Sequence, residues 1–183
     1  MLLKKIGVDK RTFVLRFLIL TLITAVCMAA DQWTKVWATA KLYNKPQELY
    51  FYGLIKLLYA ENTGAWGSMG SNLPEPWRYI LLTIVPILFL CGVYVFTLTR
   101  KVLKTYETIC YALIIGGGAG NLIDRAIHGF VVDFLWMGWN QYGTNIFNVA
   151  DVLIMTGVIT LLLWQLIFDR ESNEKTSIAV SKS

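Results

Sequence analysis

The chain has 183 residues, of which 56% are hydrophobic and only 16% charged, with a mean hydropathy of +0.52. Soluble domains run at about 45–50% apolar and about 25% charged, so this composition argues against a soluble globular class. The net charge of +5 lies in short basic blocks beside apolar runs, which points to orientation in a membrane and away from nucleic acid.

Residues 1–12 form a basic leader with Lys4, Lys5, Lys10 and Arg11. The first apolar run, Phe13 to Ala30, predicts a membrane span, with Arg16 snorkelling back to the near surface. The same stretch resembles a secretory signal peptide ending in Cys27-Met28-Ala29-Ala30, whose removal would leave three spans. The length of the run, and the odd terminus that Asp31 and Lys35 would then make, favour a retained span. Within the outer segment of 40–76, residues 47–60 are rich in β-formers and predict a short hairpin. A second run, Trp77 to Leu98, contains Pro86 and predicts a kinked span. The third, Thr108 to Ile123, is only just long enough, since a span needs about 20 apolar residues. Its Gly116-Gly117-Gly118-Ala119-Gly120 lacks the preceding strand of a nucleotide fingerprint and reads as a helix-packing surface. After a loop of roughly 124–146, the fourth run goes from Phe147 to Phe168, and a polar tail of 169–183 is expected to be disordered.

All four runs should be helices, because backbone amides in lipid must be satisfied within their own segment. Residues 13–168 then make one all-α membrane domain of four transmembrane helices. Arg100, Lys101 and Lys104 between spans two and three, and Arg170, Lys175 and Lys182 in the tail, share a side with the basic leader. By the positive-inside rule that side, with both termini, is cytoplasmic. Six of the seven tryptophans lie in or beside the two outer segments, which suggests that those segments lie against the membrane surface. Cys27, Cys91 and Cys110 fall inside apolar runs, no CxxC occurs and His128 is the sole histidine, so neither a metal site nor a disulfide framework is expected.

Polar residues cluster at the outer ends of the spans: Asp31 at the first, Asn121, Asp124 and Arg125 at the third, Asp133 in the loop, and Asn148 and Asp151 at the fourth. Each has a structural reading. Asn148 to Asp151 has the spacing of a capping box. Asp31, at a helix C-terminus, opposes the macrodipole and would need Lys35 four residues on. Asp124 and Arg125 could form an interfacial ion pair. Asp133, framed by Val132 and Phe134, is hardest to explain structurally, and such a frame raises a carboxyl's pKa. Should the loop fold back, Asp133 and Asp151 would share a site, where one holds a proton while the other acts as base.

These positions resemble the lipoprotein signal peptidases (signal peptidase II). The matching stretches are Asp31-Gln32-Trp33-Thr34-Lys35, Asn62-Thr63-Gly64-Ala65, Gly120-Asn121-Leu122-Ile123-Asp124-Arg125, Val131-Val132-Asp133-Phe134 and Phe147-Asn148-Val149-Ala150-Asp151. The resemblance implies a membrane aspartic endopeptidase without metal or other cofactor, with Asp133 and Asp151 as the catalytic dyad. It implies that Asn121 and Asn148 orient the dyad, that Asn62, Gly64 and Arg125 bind substrate, and that Asp31, Lys35 and Asp124 brace the site. The implied substrate is a prolipoprotein whose lipobox cysteine carries a diacylglyceryl group, cut just before that cysteine. Globomycin-type peptides would inhibit, membrane lipid would surround the protein, and nucleic acid has no part. The implied location is the bacterial inner membrane, with a small periplasmic β-cradle (about 40–76) on its surface and the active site near that face. One departure is visible: the family usually continues Asn-x-Gly-Ala with Ala-Phe-Ser, whereas Trp66-Gly67-Ser68 follows here. From other classes, a proton-linked carrier would also place acids in spans, but the repeats and broken helices typical of carriers are not evident. A non-catalytic scaffold would use the same polar groups only as interhelical glue.

Overall fold

A computed structural model describes residues 7–140 and 142–180, with side chains through 167. Helix α1 (Lys10–Leu42) starts where Asp9 accepts hydrogen bonds from the Arg11 and Thr12 amides at 3.1 and 3.2 Å. No Gly or Pro interrupts its 33 residues, and it stops where Asn44 turns left-handed ahead of Pro46. At about 1.5 Å per residue it is about 50 Å long and outreaches a hydrocarbon core of about 30 Å. The helix therefore continues twelve residues past Ala30, and Asp31 lies in its interior. The expected conflict between Asp31 and a helix C-terminus does not arise.

Helix α2 (Trp77–Thr99) bears out the expected irregularity: a π-helical stretch, Ile80–Ile84, precedes Pro86 and widens the turn whose hydrogen bond the proline cannot make. Helix α3 (Thr105–His128) is closed by left-handed Gly129, whose amide donates to the Arg125 carbonyl. Helix α4 (Val149–Val180) passes the expected end at Phe168. Where the sequence reading places a disordered tail, the backbone stays helical to Val180, and no Gly or Pro follows Gly157 to break it.

Among the described residues, three helices are long and apolar enough to cross a membrane: Lys10–Leu42, Trp77–Thr99 and Val149–Ile167. Their large apolar side chains point outward, with Leu22, Leu88 and Leu166 about two-thirds exposed, as lipid contact requires. Helix α3 is different. It sits at the centre against the other three, so its faces are covered by protein and need not be apolar. The glycine run does this work, as expected. A Cβ on Gly117 would lie 2.4 Å from the Ala150 carbonyl oxygen, and one on Gly120 would lie 2.4 Å from Asp31 Oδ2. Arg16 does not snorkel to the surface. It is buried, and it donates to the carbonyls of Arg100 and Leu103, tying α1 to the α2–α3 turn.

The predicted hairpin forms as β1 (Glu48–Tyr50) and β2 (Ile55–Asn62). The outer loop of 124–146 is more ordered than a loop, because it carries β3 (Val131–Trp139) and the short β4 (Tyr142–Gly143). The sheet is antiparallel in the order β1-β2-β3-β4, so half of its strands come from outside residues 40–76. It rests on the protruding end of α1 through Ala38, Leu42 and Phe134, with Leu57 and Tyr59 packed against them.

Candidate active site

Asp133 reaches the site because it sits within β3, paired with Ala60 of β2 beside a bulge between Leu57 and Ala60. The backbone after β4 returns to β3: Phe147 accepts from Phe134 and Leu135 and donates to Leu135. That stitch sets Asn148, the first residue before α4, directly against Asp133.

Asn148 and Asp151 form the reciprocal capping box expected from their spacing. The Asp151 amide donates to Asn148 Oδ1 at 3.0 Å, and the Asn148 amide donates to Asp151 Oδ2 at 3.1 Å. The side-chain amide of Asn148 then donates to Asp133 Oδ1 at 2.6 Å and to Asn121 Oδ1 at 3.0 Å. Asn121 in turn donates to Asp151 Oδ1 at 3.0 Å. Two asparagines thus link both aspartates in one network, and both aspartates line a cleft of about 430 Å³ between the sheet, α3 and α4. Asn62 donates to Asp133 Oδ2 at 2.9 Å. Asp133 is only 3% exposed, and that burial pushes its carboxyl up to about 6. The charge of Asp151 adds to the rise, while the hydrogen bonds from Asn62 and Asn148 and the charge of Lys35 oppose it.

Beneath Asp133 and Asp151 lies a buried ionic cluster. Lys35 Nζ contacts Asp31 Oδ2 at 2.8 Å, Asp124 Oδ2 at 3.0 Å and Asn121 Oδ1 at 2.9 Å, which uses all three of its donors. Asp31 Oδ1 accepts from the Ala150 amide, and Asp124 accepts from the Val132 amide and from Gln32. The bonds to the Ala150 and Val132 amides tie α1 and α3 to the residues just before Asp151 and Asp133. The expected Asp124–Arg125 pair is not made. Adjacent residues diverge by about 100° around a helix, so Asp124 turns to Lys35 while Arg125 turns to the cleft, where it donates to the Gly64 carbonyl at 2.9 Å.

Asn62, Gly64 and Arg125, expected to bind substrate, hold the chain's own backbone at the cleft rim. Asn62 donates to the Ala65 carbonyl and accepts from the Gly64 amide, closing a tight turn over 62–69. Gly64 is required there: a Cβ would lie 2.4 Å from the Ser68 carbonyl carbon. The sequence reading missed Gln32, which donates to Asp124 Oδ1 at 2.9 Å and to the Gly120 carbonyl at 3.1 Å. Its one signal was its place between Asp31 and Lys35. Cys27 and Cys110 are buried packing residues and Cys91 is exposed; none lines the cleft that holds Asp133 and Asp151.

Residues 23–168 match the family model described as Signal peptidase (SPase) II. A lipoprotein signal peptidase of Campylobacter jejuni is 36% identical over 148 residues, covering 80% of this chain and 86% of the relative. One from Shewanella oneidensis is 35% identical over 156 residues, covering 83% and 88%. One from Xylella fastidiosa is 36% identical over 162 residues, covering 87% and 94%. A solved structure described as a bacterial membrane enzyme shares the fold, with a TM-score of 0.69 at 24% identity over 80% of this chain and 87% of that one.

Proposed function

The chain belongs to the signal peptidase II family, and from that membership we propose that Asp133 and Asp151 form its hydrolytic dyad at the outer end of a four-helix bundle. The activity itself is that of a protease of lipoprotein processing, the removal of signal peptides from prolipoproteins. The single observation that carries the dyad is the network in which Asn121 and Asn148 hold both carboxyls at one cleft.

In this reading the reactive form is the one in which Asp133, raised to about 6, carries the shared proton, a minority form at neutral pH. The Asp151 carboxylate takes a proton from water as its oxygen attacks the scissile carbonyl carbon. Protonated Asp133 gives its proton to the carbonyl oxygen, forming a neutral gem-diol. When the diol collapses, the carbon–nitrogen bond breaks, one hydroxyl proton returns to Asp133, and the amine leaves with the proton that Asp151 had taken. No proton is gained or lost over the cycle, and no covalent enzyme intermediate is needed.

The finer substrate assignment follows the same family logic: a prolipoprotein cut before a diacylglyceryl cysteine, with globomycin-type peptides as inhibitors. A lipid-anchored substrate diffuses in two dimensions, and a cleft at the bundle's outer end meets a scissile bond near the interface. Helix α3, 24 residues and about 36 Å long, would be the fourth span, shielded by its neighbours from lipid. Both termini would then be cytoplasmic, and the sheet would be a cradle on the periplasmic surface of the inner membrane.

The test is cleavage of a lipidated precursor in liposomes by Asp133→Asn and Asp151→Asn. Each should lose cleavage while remaining inserted and folded. Full activity in either variant rejects the dyad.

A further inference from the structure

The resemblance does not explain Trp66. Its indole is 76% exposed, and among the described residues it has no aromatic or cationic partner. Yet the turn that carries it is held firmly. Arg125 and Asn62 pin the Gly64 and Ala65 carbonyls, and the Ala65 amide donates to the Met69 carbonyl at 2.7 Å. Gly67 and Ser68 are both left-handed, at φ 63° and 60°, and a Cβ on Gly67 would lie 2.6 Å from Asn145 Nδ2 across the cleft mouth. Gly67 adopts this conformation without cost, but in Ser68 it is strained, and such strain persists where the surrounding structure fixes it and concentrates at ligand clamps. Here the product of the strain is a large apolar ring standing free at the mouth of the site.

Trp66 lines two cavities at once. One is the dyad cleft. The other is a groove of about 500 Å³ that runs from Asp151 along α4, over Val152, Met155, Thr156, Ile159 and Thr160. These five positions recur at helical spacing and form one stripe. Trp66, Asp151 and Met155 are common to both spaces, so groove and cleft are continuous and Trp66 stands at their junction. A stripe of this form on a membrane helix, with Thr156 and Thr160 four apart, suits close approach by a second apolar helix.

We propose that Trp66 is a specificity-determining residue: it stands where the apolar segment of the signal peptide leaves the α4 groove and enters the dyad cleft, and it packs against that segment. This rests on the peptidase reading above and adds the path by which the substrate reaches the dyad. A rigid aromatic with two torsions gives contact area at low entropic cost, and a pinned turn lowers that cost further. The departure of Trp66-Gly67 from the family pattern then has a purpose: the small Gly67 lets the turn fold against Asn145, and the ring moves to position 66.

The experiment measures kcat and KM on lipidated precursors in liposomes for wild type, Trp66→Ala, Trp66→Phe and Ile159→Trp. The expected result is a KM about tenfold higher in Trp66→Ala, equivalent to 1.4 kcal/mol, with a smaller change in kcat and most of the loss recovered by Trp66→Phe. Ile159→Trp, which fills the groove two turns from the dyad, should also raise KM. A photoreactive phenylalanine at position 66 should crosslink to the signal-peptide segment. An unchanged KM in Trp66→Ala, a loss confined to kcat, or an adduct on the acyl chain overturns the proposal. Asp133→Asn in the same assay separates the two ideas: if that variant still cleaves, the dyad itself is wrong, whatever Trp66 does.

Discussion

Asp133→Asn should make the protein more stable while abolishing cleavage, and the size of the gain follows from the site. The Asp133 carboxyl stands at about 6 against an ordinary 3.8. A tenfold change in proton affinity is about 1.4 kcal/mol, so holding this group ionised at neutral pH costs the fold about 3 kcal/mol. The amide is neutral and escapes that cost, but it offers one acceptor where the carboxylate offers two. Either Asn62 or Asn148, which donate to its two oxygens at 2.9 and 2.6 Å, must face an NH₂ group or turn away. That loss is about 1–2 kcal/mol, which leaves a net gain of about 1–2 kcal/mol. At roughly 2–4 °C per kcal/mol for a chain of this size, the melting temperature in detergent should rise by a few degrees at pH 7.5. The sign fixes the pH dependence. A carboxyl with a raised folded pKa binds its proton more tightly when folded, so its contribution is complete below 3.8 and is lost as pH rises through about 6. The advantage of the variant should therefore shrink as pH falls from 7.5, vanish near pH 5 and reverse by pH 4. A variant less stable than wild type at pH 7.5, or a difference that does not change with pH, would refute the assignment of Asp133 as a strained, proton-holding acid.

The same value predicts kinetics: kcat/KM should fall as pH rises above about 6, because the free enzyme loses its acid, and a rate still climbing from pH 6 to 8.5 would remove Asp133 from that role. Lys35→Ala strands Asp31 and Asp124, which are 0% and 2% exposed, and should destabilise the fold by about 3–5 kcal/mol in a chemical unfolding titration; a loss under 1 kcal/mol would mean that the cluster is not ionised as drawn. Gly120→Ala should cost about 1–3 kcal/mol, since its Cβ meets the fixed carboxylate of Asp31, and more than Gly118→Ala, whose Cβ meets only the flexible end of Leu90; equal melting temperatures for the two would count against the packing argument.

What could be read before the structure, and what could not, divides along physical lines. The apolar runs gave their helices because span length and backbone satisfaction are local requirements, and the 47–60 hairpin followed from β-formers. The strand at 131–139 stayed hidden because Val131, Val132, Asp133 and Phe134 are all buried, so the alternation that marks a half-exposed strand is absent. The end of α1 was placed twelve residues early for a related reason. Apolarity ends with the lipid, whereas the helix goes on to support the sheet, with Lys41 facing outward and Leu42 buried against the strands. Pairings among the polar residues were legible only at fixed helical spacing. Asp31 with Lys35 and Asn148 with Asp151 were accessible, but Lys35 with Asp124 and Arg125 with Gly64 depend on how α1, α3 and the 62–69 turn meet.

The helix cap and the polar network around Asp133 use different atoms of the same Asn148 and Asp151 side chains. Asn148 Oδ1 starts the helix while its Nδ2 holds Asp133, and Asp151 gives Oδ2 to the cap and Oδ1 to Asn121. Replacement at 148 can separate the roles. Serine is as good an N-cap as asparagine but too short to reach Asp133, whereas alanine does neither. Asn148→Ser should therefore exceed Asn148→Ala in stability by about 1 kcal/mol, while both show the same loss of cleavage, about 100-fold or more if the carboxyl is no longer oriented for proton transfer. Equal stability would mean that the cap contributes little. Cleavage that recovers in the serine variant would mean that the helix start alone positions the dyad, and that the amide bridge from Asn148 to Asp133 is incidental to the reaction.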